Sequence, residues 1–439
     1  MHPHTLGPNT LGPSTLGPIL LAGALLLASC SRPSAPPTGD GTGLLYLWAA
    51  DADAKDPDFL TVVDARRGSA TYGSILSTVP VSGRANVPHH TEYALMPGAG
   101  LWANGWGTGK TFMFDLTDPL APRVAGEFGA RGGYSYPHSY ARLPNGNVLA
   151  TFQSSGGGYT ASGGLVELDA RGEFVRGASG ISPDVAANDN WTYSLLVLAE
   201  LDRVVVTNTR MGMVAEWESM MQAAMDSAHH HVSQDVRTTH IQIFRLSDLA
   251  LLHTLKLPPQ EGGHEVWTAE PRRLANGDIY VNTFSCGLYR VVGVDSETPS
   301  VEPTLFSPVS AMGSCAVPVV LGNFWIQPST DERMVVAYDL SDAAKPREAS
   351  RLVFDSTITS PHWLGLDPAA PRLVVTFGDD AVVMLVDIDP ATGRLTLDER
   401  FRDAGSAKPG VRTDRAEWPH GATGPAKVHG AVFGEKPAR

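Results

Sequence analysis

The sequence predicts an all-β fold, a seven-bladed β-propeller carrying one short helical insertion. A hairpin signal that recurs seven times and the near-constant spacing of its copies carry that prediction. From residue 44 on, strand-like runs alternate with turns, and in each copy a β-rich run ends in Asp or another polar residue before the chain turns back. The copies end at Asp64, Asp115, Asp169, Arg245, Asp295, Asp339 and Asp387, at intervals of 51, 54, 76, 50, 44 and 48 residues. Asp and Gly suit the tight backbone of such turns. A period of roughly 50 residues in all-β sequence is the signature of four-stranded propeller blades. Internal similarity supports the repeat: Phe114-Asp-Leu-Thr-Asp-Pro matches Tyr338-Asp-Leu-Ser-Asp, and Arg142-Leu-Pro-Asn-Gly-Asn-Val matches Arg273-Leu-Ala-Asn-Gly-Asp-Ile. Stacked β-sandwich domains would need linkers that this stretch lacks.

The one long interval holds the insertion, about residues 211–239. Apolar residues at helical spacing (Met213, Trp217, Met221, Met225) precede His229-His230-His231. Three successive histidine side chains diverge, so the tract reads as a solvated loop beside a helix that covers one propeller face or part of the channel mouth.

The N-terminal segment is expected to be a processing signal. Residues 19–29 form a short apolar run ending at Cys30, and Leu27-Ala28-Ser29-Cys30 has the form of a bacterial lipobox whose Cys is acylated. The segment before it holds three copies of Thr-Leu-Gly-Pro and no Lys or Arg, unlike an ordinary signal peptide. The expected organisation is a signal peptide over 1–30, a flexible tether over 31–43 and the propeller over 44–433. That places the protein in the periplasm or cell envelope, with membrane contact only through a lipid on Cys30. No apolar run after residue 30 approaches the roughly 20 residues of a bilayer span.

The 439 residues carry a formal charge of −13, which offers no basic field for nucleic acid. Beyond Cys30 the chain has Cys286 and Cys315, which either pair or remain buried free thiols. A Gly-x-Ser-x-Gly elbow and a full Gly-x-x-x-x-Gly-Lys-Ser/Thr phosphate-binding loop are both missing.

The histidines follow the repeat. After successive hairpins come His89-His90, His138, Trp191-Thr-Tyr193, His264-Glu265, Cys315, His362, and finally His420 and His429. In a propeller the first strand of each blade lines the channel, so this phase turns His90 (or His89), His138, His264, His362 and one or both of His420 and His429 toward a common axis. Converging imidazoles suit Cu, Zn, Fe or Ni. Glu92 and Glu265 stand beside them as candidate proton acceptors or as groups that orient a ligand through its second ring nitrogen. His240 and His253 read as structural. His89 and His90 would alternate in direction on a regular strand, so both reach the axis only where the backbone bends.

Several of these segments resemble one family. Asp-Phe-Leu-Thr-Val-Val-Asp over 58–64, His89-His90, the Pro-His-Ser segment at 137–139 with Leu143-Pro-Asn-Gly-Asn-Val, and Tyr-Asp-Leu-Ser-Asp-x-x-x-Pro over 338–346 are similar to the selenium-binding protein and methanethiol oxidase family. The similarity runs diffusely over about residues 44–433. It implies a seven-bladed propeller whose bacterial enzymes use copper to oxidise methanethiol with O2 to formaldehyde, hydrogen sulfide and hydrogen peroxide. His89, His90 and His138 match family histidines, His420 or His429 matches a C-terminal one, and Glu265 matches an acidic position. His264 and His362 are additions. Family members continue from the His pair into a Cys-containing segment associated with selenium, where this chain has Thr91-Glu-Tyr-Ala-Leu-Met. The expectation is therefore a copper-dependent oxidase of a small thiol. The alternative is a non-enzymatic metal- or selenium-binding propeller, or a scaffold with structural histidines.

Overall fold

The computed structural model describes residues 41, 43–156, 161–186, 190–211, 238–260, 263–305 and 314–434. Cys30 and nearly all of the 211–239 insertion lie outside them.

The described residues form seven antiparallel sheets, and the chain is a seven-bladed β-propeller. Blades 2 to 7 are meanders of consecutive strands that begin at Pro88–Thr91, Tyr134–Arg142, Thr192–Leu198, Thr268–Arg273, Val319–Leu321 and Pro361–Leu366. Blade 1 closes the ring. Its inner strand, Gly424–Gly434, comes from the far end of the chain and pairs antiparallel with Leu44–Asp51, setting Leu44 opposite Gly434 and Leu47 opposite Ala431. First strands are largely buried and pack against those of neighbouring blades, while fourth strands such as Phe174–Ser179 are mostly exposed. Among the described residues, helical structure is limited to 3-10 turns at Trp106–Thr108 and Ala199–Leu201.

Four of the recurring Asp residues act as expected, at the turn between third and fourth strands, whereas Asp387 stays within its third strand, opposite Arg372 and Thr396. The carboxylates of Asp64, Asp115, Asp169 and Asp339 each accept the backbone N–H two residues on, at 2.9 to 3.0 Å. Each carboxylate thus stands in for a backbone carbonyl and closes the turn locally. Hydrogen bonds to Thr117 and Arg123 hold the Asp115 carboxyl down at about 2.

Indoles tie the ring across blades: Trp48 Nε1 donates to the Asn104 carbonyl at 2.7 Å, and Trp363 Nε1 to the Ala431 carbonyl at 2.8 Å. Cys286 and Cys315, 5.0 Å apart at Cα, form a disulfide that joins blade 5 to the approach of blade 6. The choice left open by sequence falls to pairing, and neither sulfur is a free nucleophile.

Candidate metal centre

Pairs of adjacent residues reach the channel because the inner strands are bulged. In blade 2, Pro88 pairs with Gly105 and Thr91 with Ala103, so His89 and His90 together oppose only Asn104. A bulge of this kind leaves one residue unpaired and re-aims its side chain. The rings of His89 and His90 consequently stack, with centroids 4.5 Å apart and planes 14° apart. Asn104 replaces the lost ladder bond: its Oδ1 accepts the His90 N–H at 2.6 Å, and its Nδ2 reaches the Pro137 and His138 carbonyls at 3.2 Å.

The same device recurs around the ring. Thr151 caps the bulge at His138-Ser139, Thr207 that at Tyr193-Ser194, and Asn282 that at Ala269-Glu270, each accepting the second residue's N–H at 3.0 Å. The closing strand is irregular at His429-Gly430, between the pairs Leu47–Ala431 and Ala49–Val428. Gly430 allows that strand to lie against blade 2, since a Cβ there would meet the His89 carbonyl oxygen at 2.7 Å and Thr91 N at 2.8 Å. Val87 and Tyr136, which precede Pro88 and Pro137, take left-handed φ values of 54° and 59°. Strain of that type is held only where the surroundings over-determine it, commonly at functional sites.

Beside these bulges the inner strands gather an imidazole cluster. One ligand nitrogen from each of His89, His90 and His138 falls within 4.8 Å of the others. His429 joins with its ring 4.0 Å from that of His89, and His362 follows at 4.5 Å from His429. His138 Nδ1–H donates to the Tyr193 carbonyl at 2.9 Å, which leaves Nε2 as a bare acceptor; that buried atom has no protein partner. His89 Nδ1 and His429 Nδ1 are likewise buried without one. Unpartnered buried nitrogens are costly in a folded chain, and a transition metal would satisfy them. The donor set fits such an ion. Burial, then the neighbouring imidazoles, holds His89, His90 and His429 well below the usual histidine range. Burial lowers His138 to about 3, opposed by its bond to Tyr193, and lowers His362 to about 4, opposed by Asp379. The rings are therefore neutral at pH 7, the form that binds metal.

The second residues form a polar belt. His90 Nδ1 lies 3.1 Å from Ser139 Oγ and 3.3 Å from the Tyr93 hydroxyl. Tyr93 donates to Glu270 at 2.8 Å, as Ser194 does at 2.6 Å, and Arg272 pairs with the same carboxylate at 2.9 Å. Burial pushes the Glu270 carboxyl up, against the pull of Arg272 and the two hydroxyls. Trp363 stacks on Tyr93 at 5.3 Å, and the Arg272 guanidinium lies 4.2 Å from the same ring's centroid. Trp106, Tyr193 and Trp363 wall the cluster.

Other candidates are placed elsewhere. Glu92 is buried in a two-pronged ion pair with Arg142, at 2.7 and 3.0 Å, and also accepts the Trp102 N–H. As the residue just past the bulge it braces blade 2 against blade 3. His264 precedes the blade 5 strand and bonds the Ser285 carbonyl at 2.9 Å through Nδ1. Glu265 accepts the Gln260 N–H at 3.3 Å. The blade 5 residue bonded into the site is Glu270, five positions on. His420 meets Thr78 Oγ1 at 2.7 Å and the Phe59 ring, so of the two C-terminal histidines His429 is the one in the cluster. Residue counting missed Tyr93, Ser139, Ser194 and Glu270. The signal that marks three of them is their place one residue after the first member of each bulge pair.

No family model matches the chain. Methanethiol oxidase of Ruegeria pomeroyi is 29% identical over 154 residues, 34% of this chain and 35% of that protein. Methanethiol oxidase of a Hyphomicrobium species is 30% identical over 136 residues, 30% of this chain and 31% of that protein. The chain thus spans about a third of the length of the curated relatives it matches. Among solved structures, a hypothetical selenium-binding protein from Sulfolobus tokodaii superposes with a TM-score of 0.67 at 15% identity, covering 93% of this chain and 96% of the other. The periplasmic gluconolactonase of Pseudomonas aeruginosa gives 0.56 at 11% identity, covering 88% and 99%. At these identities the superpositions speak for the propeller alone. The chain is thus similar in sequence to curated methanethiol oxidases over about a third of its length, and in fold to a selenium-binding protein.

Proposed function

We propose that the channel cluster holds copper and that the protein oxidises a small thiol, methanethiol or a close analogue, with O2. The observation that carries this reading is the convergence of three imidazoles, two of which, His89 and His138, hold a buried, unpartnered nitrogen. His89, His90 and His138 would hold the ion, with His429 beside them. Bound there, copper would supply one-electron redox chemistry and an affinity for thiolate sulfur. The reaction balances as CH3SH + O2 + H2O giving CH2O + H2S + H2O2, with carbon losing the two electrons that oxygen gains.

The chain's own residues contribute orientation and exclusion of water. Trp106, Trp363 and Tyr193 wall the site with aromatic surface suited to a one-carbon group. The Tyr193 hydroxyl lies 3.2 Å from His90 Nε2, at the edge of the cluster's rings. Glu270 takes the acid–base place expected of Glu92 or Glu265, because its hydrogen bonds reach His90 through Tyr93. Export and lipidation at Cys30 remain part of the proposal. A non-enzymatic metal carrier is the second reading, favoured by the run of imidazoles that continues through His429 to His362.

Metal analysis of untagged protein, with oxygen uptake on methanethiol for wild type and His138→Ala, tests the reading. Stoichiometric copper and thiol-dependent uptake, both lost in the variant, are expected. Protein without stoichiometric metal would sink both readings, and copper-loaded protein without uptake would leave the carrier.

A further inference from the structure

The belt beneath the cluster contains more than a ligand shell needs. His90 is engaged at both ring nitrogens, Nε2 by the Tyr193 hydroxyl and Nδ1 by Ser139 and Tyr93. The Tyr93 hydroxyl sits 2.8 and 3.0 Å from the two Glu270 oxygens. A phenol has one hydrogen, and a carboxylate beside it takes that hydrogen. The phenol oxygen is left only to accept; with the Ser139 hydroxyl, 3.2 Å away, donating to it, the proton between Tyr93 and His90 resides on Nδ1. His90 Nε2, 3.2 Å from the Tyr193 hydroxyl, then carries the lone pair, which accepts from that hydroxyl or, with the hydroxyl turned aside, is open to an ion.

We propose that Glu270 and Tyr93 are positioning residues: the carboxylate, acting through the phenol, fixes His90 as its Nδ1–H tautomer and offers Nε2 to the metal. The inference rests on the metal-site reading and deepens it. His138 is set by a different device, its Nδ1–H donating to the Tyr193 carbonyl. A histidine ligand is usually set by one direct bond from its second nitrogen to a carboxylate, carbonyl or water. Here a tyrosine is interposed. The arrangement is built rather than incidental, since Glu270 is fully buried and also held by Ser194 and Arg272. Tyr93 is clamped between the Trp363 ring, inclined by only 10°, and the Arg272 guanidinium. The carboxylate comes from the repeat: Glu270 holds in blade 5 the bulge position that His90 holds in blade 2.

The test uses the full chain, with Cu(II) and Co(II) as separate probes and a chelator competition to read affinity. Tyr93→Phe keeps the stacked ring and removes the hydroxyl. It is expected to weaken metal binding by about ten- to a hundred-fold and to change the copper EPR hyperfine splitting. Glu270→Gln should weaken binding less, and the double variant no more than Tyr93→Phe alone, because the carboxylate acts through the phenol. Independently of metal, 15N-histidine NMR of the metal-free chain should show His90 protonated at Nδ1 in wild type and a tautomer mixture in Tyr93→Phe. Wild-type affinity and spectra in Tyr93→Phe, or an Nε2–H signal for His90 in wild type, would overturn the inference while leaving the metal site intact. If the wild type bound neither probe, the metal reading would fail and the NMR result would still decide the tautomer. Should Tyr93→Phe fail to fold, Ser194→Ala, which loosens both Glu270 and the Tyr93 hydroxyl, is read the same way.

Discussion

Replacing Glu92 with Gln separates a structural carboxylate from a catalytic one. Its carboxylate is buried, with the Arg142 guanidinium at 2.7 and 3.0 Å and the Trp102 N–H at 2.9 Å. Removing one partner of a buried pair leaves the other charge uncompensated, which costs about 3 to 5 kcal/mol. The Arg142 side chain keeps 11% of its exposure and a bond to the Gly100 carbonyl, so the lower end applies, about 3 kcal/mol. For a propeller of this length the unfolding entropy is on the order of 0.8 kcal/mol per kelvin, which converts that loss to a Tm decrease of about 4 °C. Because a pair replaced on both sides no longer strands a charge, Glu92→Gln/Arg142→Met should lose less than the sum of the single variants. Thermal melts of the four proteins, with metal content measured in each, make the cycle. Copper content and oxygen uptake should survive Glu92→Gln. An unchanged Tm together with lost uptake at full metal loading would refute the assignment and return Glu92 to catalysis.

The disulfide spans 29 residues of sequence, and closing a loop of that length stabilises by about 3 to 4 kcal/mol in the chain-entropy account. Cys286→Ser/Cys315→Ser should therefore melt several degrees lower without losing metal, and reductant should lower the wild-type Tm but not the variant's; a variant melting with wild type would reject this. Burial keeps His138, His240 and His362 neutral, with values lowered to about 3, 4 and 4 from the usual 6.5. Below 6.5 the unfolded chain takes up protons that these folded side chains refuse, so stability falls as pH falls through that window, by up to about 1.4 kcal/mol per pH unit for each group. Urea titrations of metal-free protein between pH 7 and 4 should show that decline, and a flat profile would contradict it.

The architecture was legible because its strongest signals are local. An Asp that closes its own turn works within three residues, so Asp64, Asp115, Asp169 and Asp339 read directly as hairpins wherever they occur. The ring of inner strands followed from counting those turns. The count loses precision between a hairpin and the next inner strand, where loop length varies, and so it reached His264-Glu265 when the bulge of blade 5 lies at Ala269-Glu270. The same slack let His420 stand beside His429. His89 and His90 both facing the channel depended on a bulge defined by Asn104, more than ten residues away on another strand. A register shift is a property of two strands together, and neither strand's own pattern contains it. Tyr93 was invisible for a related reason: its partners Ser194 and Glu270 come from blades 4 and 5.

The closing strand Gly424–Gly434 has a consequence for biosynthesis. It brings His429 to the cluster and in the same stretch pairs with Leu44–Asp51. A nascent chain emerging from a ribosome holds His89, His90 and His138 long before it holds residue 429. Until translation passes that point, the ring is open and its first blade lacks an inner strand. The full imidazole set is thus assembled only by the event that seals the molecule, so premature termination or a frayed terminus leaves the centre incomplete.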